Sequence, residues 1–451
     1  MTYYVDSVLG SDQNDGLTRQ TAFRTLEKVN GLTLCGGDAV LFRAGCTFEG
    51  ALRPRRVRDG ETICFGRYGV GEKPLIAAEA GEAVDLCDFD CVEISELAVT
   101  NRCGSRGILI RNQAGGALRH IHVIGCEVCH VNEYRETFSY ESGGIICMSF
   151  SDEPGWFEDL LLEDNEIRDV CRTGILLTGA WANRPHKLWG KNEYISDSEN
   201  WWPSTGVTVR GNTVDETGGD GIVVIGTVGA LLEWNTVTRV MTRPVPPCAN
   251  AGIWPQSSNG CVMQYNEVGY CNKPEGCSDA QGFDVDLSCR DTLVQYNYSH
   301  NNAGGFLLLC EMGDTTDADN FRGTVVRHNL SVDDGHVKGE LIALVGPVRG
   351  VTIEENILYA HEKVERFVEV FSEDGKNQAK DVVLRNNTFV AGRRDVGFHL
   401  CNGQNFVFQN NLHWGGGKVP GPVPGAAPAD IPDESAGMVV DRCEATTVRE
   451  P

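Results

Sequence analysis

Apolar and polar residues alternate in short bursts along this chain. In QGFDVDLS, residues 281–288, Phe283, Val285 and Leu287 alternate with Asp284, Asp286 and Ser288. That is the period of a β-strand with one apolar and one acidic face. Two columns of such strands recur. The first is an Asn that follows a short apolar run: Asn165, Asn212, Asn235, Asn266, Asn297, Asn329, Asn356, Asn387 and Asn411, at intervals of 23 to 47 residues. The second is Gly followed by Ile or Phe, at Gly107, Gly144, Gly174, Gly221, Gly252, Gly282, Gly305 and Gly397. Each repeat therefore holds at least two short strands at fixed places. One such coil cannot bury its apolar face alone, so it stacks on the next at about 4.8 Å. The prediction is an all-β parallel solenoid with an Asn side-chain ladder along one corner. A β-propeller would need hairpin signals within each repeat, and these are missing.

The ends break the pattern. TAFRTLEKV, residues 21–29, places Ala22, Phe23, Leu26 and Val29 on one helical face, which predicts a short capping helix. KVPGPVPGAAPADIP, residues 418–432, reads as an extended Pro/Gly-rich tail. The chain accordingly divides into N-terminal strands and cap (1–80), solenoid (81–415) and tail (416–451).

YYVDSVLGSDQNDGLTRQTAFRTLEKVN followed by GGDAVLFRAG resembles the N-terminal segment of bacterial right-handed parallel β-helix proteins of the pectate-lyase-like superfamily. RTGILLTGAW, STGVTVRGNTV, GGDGIVV, AGIWPQ, QGFDVD and LVQYNYSHNNAGGFLLL extend the resemblance over about residues 3–415. It implies a right-handed β-helix with long loops walling a groove. It leaves the reaction open, because polysaccharide lyases, glycoside hydrolases, epimerases and non-catalytic fibres share the fold.

The Gly column serves as a ruler. With the following Ile or Phe pointing inward, odd offsets face out. At offset one these are Leu109, Ile146, Leu176, Val223, Trp254, Asp284, Leu307 and His399. At offset three they include Arg111, Met148, Thr178, Ile225, Gln256, Asp286 and Leu309, and at offset five Ser288 and Glu311. So apolar an outer face needs a cover. Its polar exceptions, Gln256, Asp284, Asp286 and Glu311, gather in adjacent coils beside Trp254, which makes them the candidate site. Neighbouring carboxylates raise one another's pKa, and a raised acid can donate a proton near neutrality. Asp220, in the turn-like GGDGIVV, is a lesser catalytic candidate. The long insert between Gly174 and Gly221 carries Trp181, Trp189, Tyr194, Trp201 and Trp202, whose rings suit sugar faces. A second insert, residues 130–144, offers Tyr134, Arg135 and Glu136 as a facing wall.

Composition narrows the partners. A formal charge of −24 is repelled by nucleic acid and by anionic membrane surfaces. No apolar run reaches the length of a membrane-spanning helix. MTYYVDSVLGSDQ has neither the basic nor the apolar region of a signal peptide. Many of the 18 Cys sit inside strand runs, as Cys147, Cys310 and Cys401 do, and read as reduced core residues. A cytoplasmic location follows, or a secreted one if a signal preceded this sequence. Cys126 and Cys129 lack a second pair at zinc spacing, so no metal is assigned. Nucleophile-elbow, P-loop, zincin and dinucleotide motifs are missing. The leading expectation is a cofactor-free glycoside hydrolase with a carbohydrate substrate, in which Glu311 is favoured as the acid and Asp284 or Asp286 as its partner, the roles being exchangeable. The alternatives are a polysaccharide lyase or epimerase, in which calcium held by the paired Asp would assist, and a glycan-binding β-helix without catalysis. Oligomeric state is not legible from the residues.

Overall fold

The structure, a computed structural model, describes residues 1–57, 60–132, 139–184, 201–243, 249–312, 320–371, 379–393, 395–400, 403–415, 439–441 and 448–449. Trp189, Tyr194, Cys401 and the Tyr134–Glu136 wall lie outside them. The chain divides into two compact units, Met1–Ala182 with Trp202–Gly226, and Asn183–Trp201 with Thr227–Pro451.

Each unit winds through three parallel sheets, as a right-handed parallel β-helix does. In the first unit, sheet I includes Val92–Ser95, Gly116–Ile124, Gly155–Glu163 and Ser204–Arg210. Sheet II includes Ala98–Asn101, Glu127–Val131 and Glu166–Val170, and sheet III Arg106–Asn112, Gly143–Ser149, Thr173–Gly179 and Ile222–Ile225. In the second unit, one coil runs through Val262–Gln264 in sheet I, Glu267–Gly269 in sheet II and Gln281–Val285 in sheet III. The next runs through Leu293–Gln295, Tyr298–His300 and Gly305–Cys310. The strands of successive coils pair parallel, as in Val262↔Leu293 and Val268↔Ser299. The core fills the coil interior: Phe283, Phe306, Phe367 and Phe389 are inaccessible to solvent.

Two sequence columns explain the corners. At the corner between sheets I and II the residue before each Asn is left-handed, from φ 67° at Gly211 to φ 50° at Asn410. This turns the Asn side chain inward onto its neighbour one coil on. Asn235 Nδ2 donates to Asn266 Oδ1 (3.0 Å), Asn266 to Asn297 (3.0 Å), Asn297 to Asn329 (3.0 Å), and the chain of bonds continues through Asn356 and Asn387 to Asn411. Asn165 and Asn212 make the same bond in the first unit. The Gly column has a steric cause. A Cβ on Gly144 would lie 2.6 Å from the carbonyl oxygen of Gly174, and one on Gly252 would lie 2.5 Å from that of Gly282.

Two expectations change. The α-helix spans only Leu26–Asn30, because Thr25 caps it and Phe23 instead bridges to Val5 as strand. Cys277 is disulfide-bonded rather than a reduced core residue; it lies in the connection after Gly269, outside the strand runs on which that reading rested. Fourteen other described cysteines form no disulfide. The Pro/Gly-rich stretch 418–432 lies outside the described residues; beyond it, Val439–Asp441 pairs with Gly397–His399, and Phe406 with Val448. Among the described residues no helix is long and apolar enough to cross a membrane.

Candidate functional site

Sheet III of the second unit brings three of the predicted acids together. Ile253 pairs with Phe283, so Trp254 and Asp284 are neighbours on one face. Asp284 pairs in turn with Leu308, and Leu308 with Ala343. The ruler slips by one residue at Gly305, which pairs with Gln281 rather than with Gly282. Gly305 takes φ 120°, and a Cβ there would lie 2.6 Å from the Glu340 carbonyl oxygen. Leu308 and Cys310, not Leu307 and Leu309, therefore share the face of Asp284, where they form a small apolar cluster with Leu287 and Ala343.

The strand ends at Val285, and the chain turns through Asp286, Leu287 and Ser288 (φ 60°). That turn lets Glu311 reach back across the coils: its Oε2 accepts the Ser288 backbone N–H at 2.9 Å. Glu311 is 2% exposed and Asp284 5%. Asp286 keeps an opening to solvent but is otherwise enclosed by protein. Burial, with the charges of Asp279 and Glu311, raises its pKa to about 7, while hydrogen bonds from the Leu287 N–H and the Cys310 thiol pull the other way. The Cys310 thiol is itself pushed well up by burial and by the surrounding carboxylates Asp286, Asp284, Asp279 and Glu311, so it stays protonated as a donor.

Sequence reasoning missed three residues here. Asp279 precedes the strand by two positions, in SDAQGFDVD, and a count of acids around the strand finds it. Asn183 and Arg184 open the Trp-rich insert, and no local pattern marks them. Asn183 Oδ1 accepts from Gln256 Nε2 at 2.7 Å, which occupies the Gln256 amide. Arg184 lies over the Trp201 ring (3.8 Å to its centroid), donates to Asn259 Oδ1 at 2.6 Å and donates to the Ser288 carbonyl. Burial lowers its pKa to about 10, helped by Arg290 and opposed by Cys289 and Glu311. Thus Asn183, Arg184 and Trp201 pin the two described ends of the insert beside the acids.

The other candidates fall elsewhere. Asp220 is inaccessible to solvent and paired with Arg172, itself 3% exposed at the side chain, in the first unit. Trp181 and Trp202 also belong to the first unit. Trp181 Nε1 donates to the Ser151 carbonyl, and Trp202 stacks on Trp156 at 5.1 Å. Trp254, at 4% exposure, is nearly enclosed. As for a cation, no three of the carboxylates Asp279, Asp284, Asp286 and Glu311 bring oxygens within 4.8 Å of one another; the described cluster that meets this distance lies in the first unit.

No family model matches the chain. Over 419 residues it is 24% identical to a lacto-N-biosidase of Bifidobacterium longum subsp. longum, a match covering 74% of this chain and 26% of that protein. The chain thus spans about a quarter of the curated relative's length. Among solved structures, it is similar to a GH136 lacto-N-biosidase from Eubacterium ramulus, with a TM-score of 0.66 at 22% identity, covering 92% of this chain and 68% of that one. The complex of XylC with xylose follows at a TM-score of 0.51 and 12% identity, covering 92% and 86%. At such identities the likeness speaks to the fold. The chain shares with these structures the right-handed parallel β-helix fold.

Proposed function

We propose that this chain is a glycoside hydrolase acting on an oligo- or polysaccharide at the acid cluster of its second unit. The observation that carries the reading is Asp286. Its carboxyl, raised to about 7 beside Glu311 and Asp279, is protonated near neutrality and open to solvent. A protonated acid can deliver its proton to a glycosidic oxygen as the C–O bond breaks. Asp284, two residues earlier on the strand that leads into this turn, is the partner carboxylate, serving as base toward water or as nucleophile. Glu311, anchored by the Ser288 N–H, holds the charge that keeps the Asp286 proton in place. The acid role therefore moves from Glu311 to Asp286. The relation to lacto-N-biosidase supports the class, and a lacto-N-biosidase-type substrate is the finer reading.

A second reading, a lyase, has one observation in its favour: Arg184, buried near Glu311, has the depressed pKa that a basic guanidine needs. Its hydrogen bonds to Asn259 and Ser288 favour the charged form and oppose that role. The test is a panel of aryl glycosides, lacto-N-biosyl conjugates and uronate polymers, with and without chelator. New reducing ends without ultraviolet absorbance, lost in Asp286→Asn and Asp284→Asn, support hydrolysis here. Absorbance from unsaturated products would replace it with the lyase, and hydrolysis that survives both substitutions would move the site.

A further inference from the structure

LRHIHV, residues 118–123, places two imidazoles on the outer face of sheet I in the first unit. The register sets His122 opposite Glu93 on the preceding coil and Ile121 opposite Leu160 on the following one. His120 falls on a bulge column that the stack repeats in left-handed backbone at Cys91, His120, Asp159 and Gly206. The bulge belongs to the fold, but the side chains placed on it are particular to this spot. It swings His120 against His122, so that the ring centroids are 3.9 Å apart. Asp159, one coil on, contacts both rings: Oδ2 lies 2.9 Å from His120 Nδ1 and Oδ1 lies 3.1 Å from His122 Nε2. Glu93 Oε1 lies 3.1 Å from His120 Nε2.

We propose that Glu93, His120 and His122 bind a divalent transition-metal ion, with Asp159 as the carboxylate that orients the rings. One nitrogen of each ring and one Glu93 oxygen lie within 4.8 Å of one another. Metal–ligand bonds of about 2.0–2.1 Å put donor atoms about 3.3 Å apart around a tetrahedral ion. Small rotations of these partly exposed side chains close the difference. The donor set selects the metal: two imidazoles and one carboxylate suit zinc, nickel, copper or iron, whereas calcium and magnesium want oxygen alone. Asp159 does what outer carboxylates do at histidine-metal sites. It accepts the Nδ1 proton of His120 and leaves Nε2, the nitrogen that faces Glu93, as the ligand. An ion held there would tie the Val92–Ser95 strand to the Gly116–Ile124 strand across two coils. It is therefore a structural clamp, separate from the sugar chemistry proposed for the other unit.

The test uses the full chain, stripped with chelator and then titrated with Zn2+ by calorimetry and with Co2+ by visible absorbance. Expected are one saturable site per chain, Co2+ bands of nitrogen and oxygen ligation, and a thermal midpoint that rises with Zn2+ by mass action. His122→Ala and Glu93→Gln should abolish all three, and Asp159→Asn should weaken binding about 10–100-fold. All three positions are on an outer face, and circular dichroism of the metal-free variants checks that they fold. Binding unchanged in these variants would overturn the proposal. So would thiolate-to-cobalt charge-transfer bands, which would assign the metal to cysteines, or the lack of any saturable site.

Discussion

Replacing Asp286 by Asn should stabilise the protein at pH 8 while removing the hydrolysis proposed for it. An acid whose pKa is raised on folding binds its proton more tightly in the native state than in the unfolded chain. Between the ordinary value of 3.8 and the folded value of about 7, the native state therefore holds more protons than the unfolded one, and stability falls as pH rises. The cost is nil below pH 4 and complete above pH 7. A rise of about 3 units, at about 1.36 kcal/mol each, sets a ceiling of about 4 kcal/mol. Asp286 is open to solvent on one side and shares its titration with Glu311, so about 1–3 kcal/mol is expected. Asn matches the protonated acid in shape and never ionises. The difference in urea midpoint between Asp286→Asn and wild type should therefore be near zero at pH 4 and grow through pH 7. Midpoints suit a repeat fold, whose coils need not unfold in one step. A difference that stays constant from pH 4 to pH 8 would refute both the raised pKa and the assignment of Asp286 as proton donor.

Three further outcomes follow from the geometry. Asn297→Ala should cost about 2–4 kcal/mol: it strips the acceptor from the Asn266 N–H and Nδ2 and the donor from the Met263 carbonyl, and denaturant midpoints with hydrogen exchange at Asn266 would check it. Asp220→Asn should destabilise by about 3–5 kcal/mol, because Arg172 keeps a buried charge without its counter-charge; a normally stable variant that loses turnover would instead return Asp220 to the active site. Arg184→Lys should lose about 1–3 kcal/mol, since an ammonium cannot reproduce the stacked guanidinium that bonds Asn259 and Ser288 together. Urea midpoints of the variant and wild type check it.

The repeat was legible in the sequence because stacking imposes the same demand on every coil. The Asn column recurs because each amide must bond the next, and the Gly column recurs because a Cβ would strike the next coil's carbonyl. Such constraints are local in each repeat, so a pattern search finds them. The acids Asp284, Asp286 and Glu311 could be named for the same reason: they interrupt an otherwise apolar row. The capping helix was overcalled because Ala22, Phe23, Leu26 and Val29 are all buried, as a helical face would be, yet Phe23 is buried as a strand residue beside Val5. Burial pattern over nine residues does not separate the two when a Thr cap falls in the middle.

What the sequence hid has one physical origin: contacts made across coils by residues that keep no column. Gly305 looks like a member of the Gly-Ile/Phe series, but its φ of 120° moves the strand one residue along. Counting from Phe306 therefore assigns the wrong leucines to the outer face. It also treats Glu311 as an ordinary odd position, when Glu311 in fact reaches back to the Ser288 N–H, 23 residues earlier. Arg184 binds the Ser288 carbonyl on the same turn, from 104 residues before it. Ser288 thus has its N–H held by an acid and its C=O held by a base, and its left-handed φ of 60° is what points the two groups at these partners. The turn that positions Asp286 is consequently fixed from both sides by residues outside the repeat. A solenoid supplies equivalent strands, and it becomes a site where irregular residues clamp one turn into a shape its neighbours do not share. It follows that substitutions at Ser288 or Arg184 should disturb the Asp286 titration, whereas substitutions in the Asn ladder several coils away should lower stability and leave that titration in place.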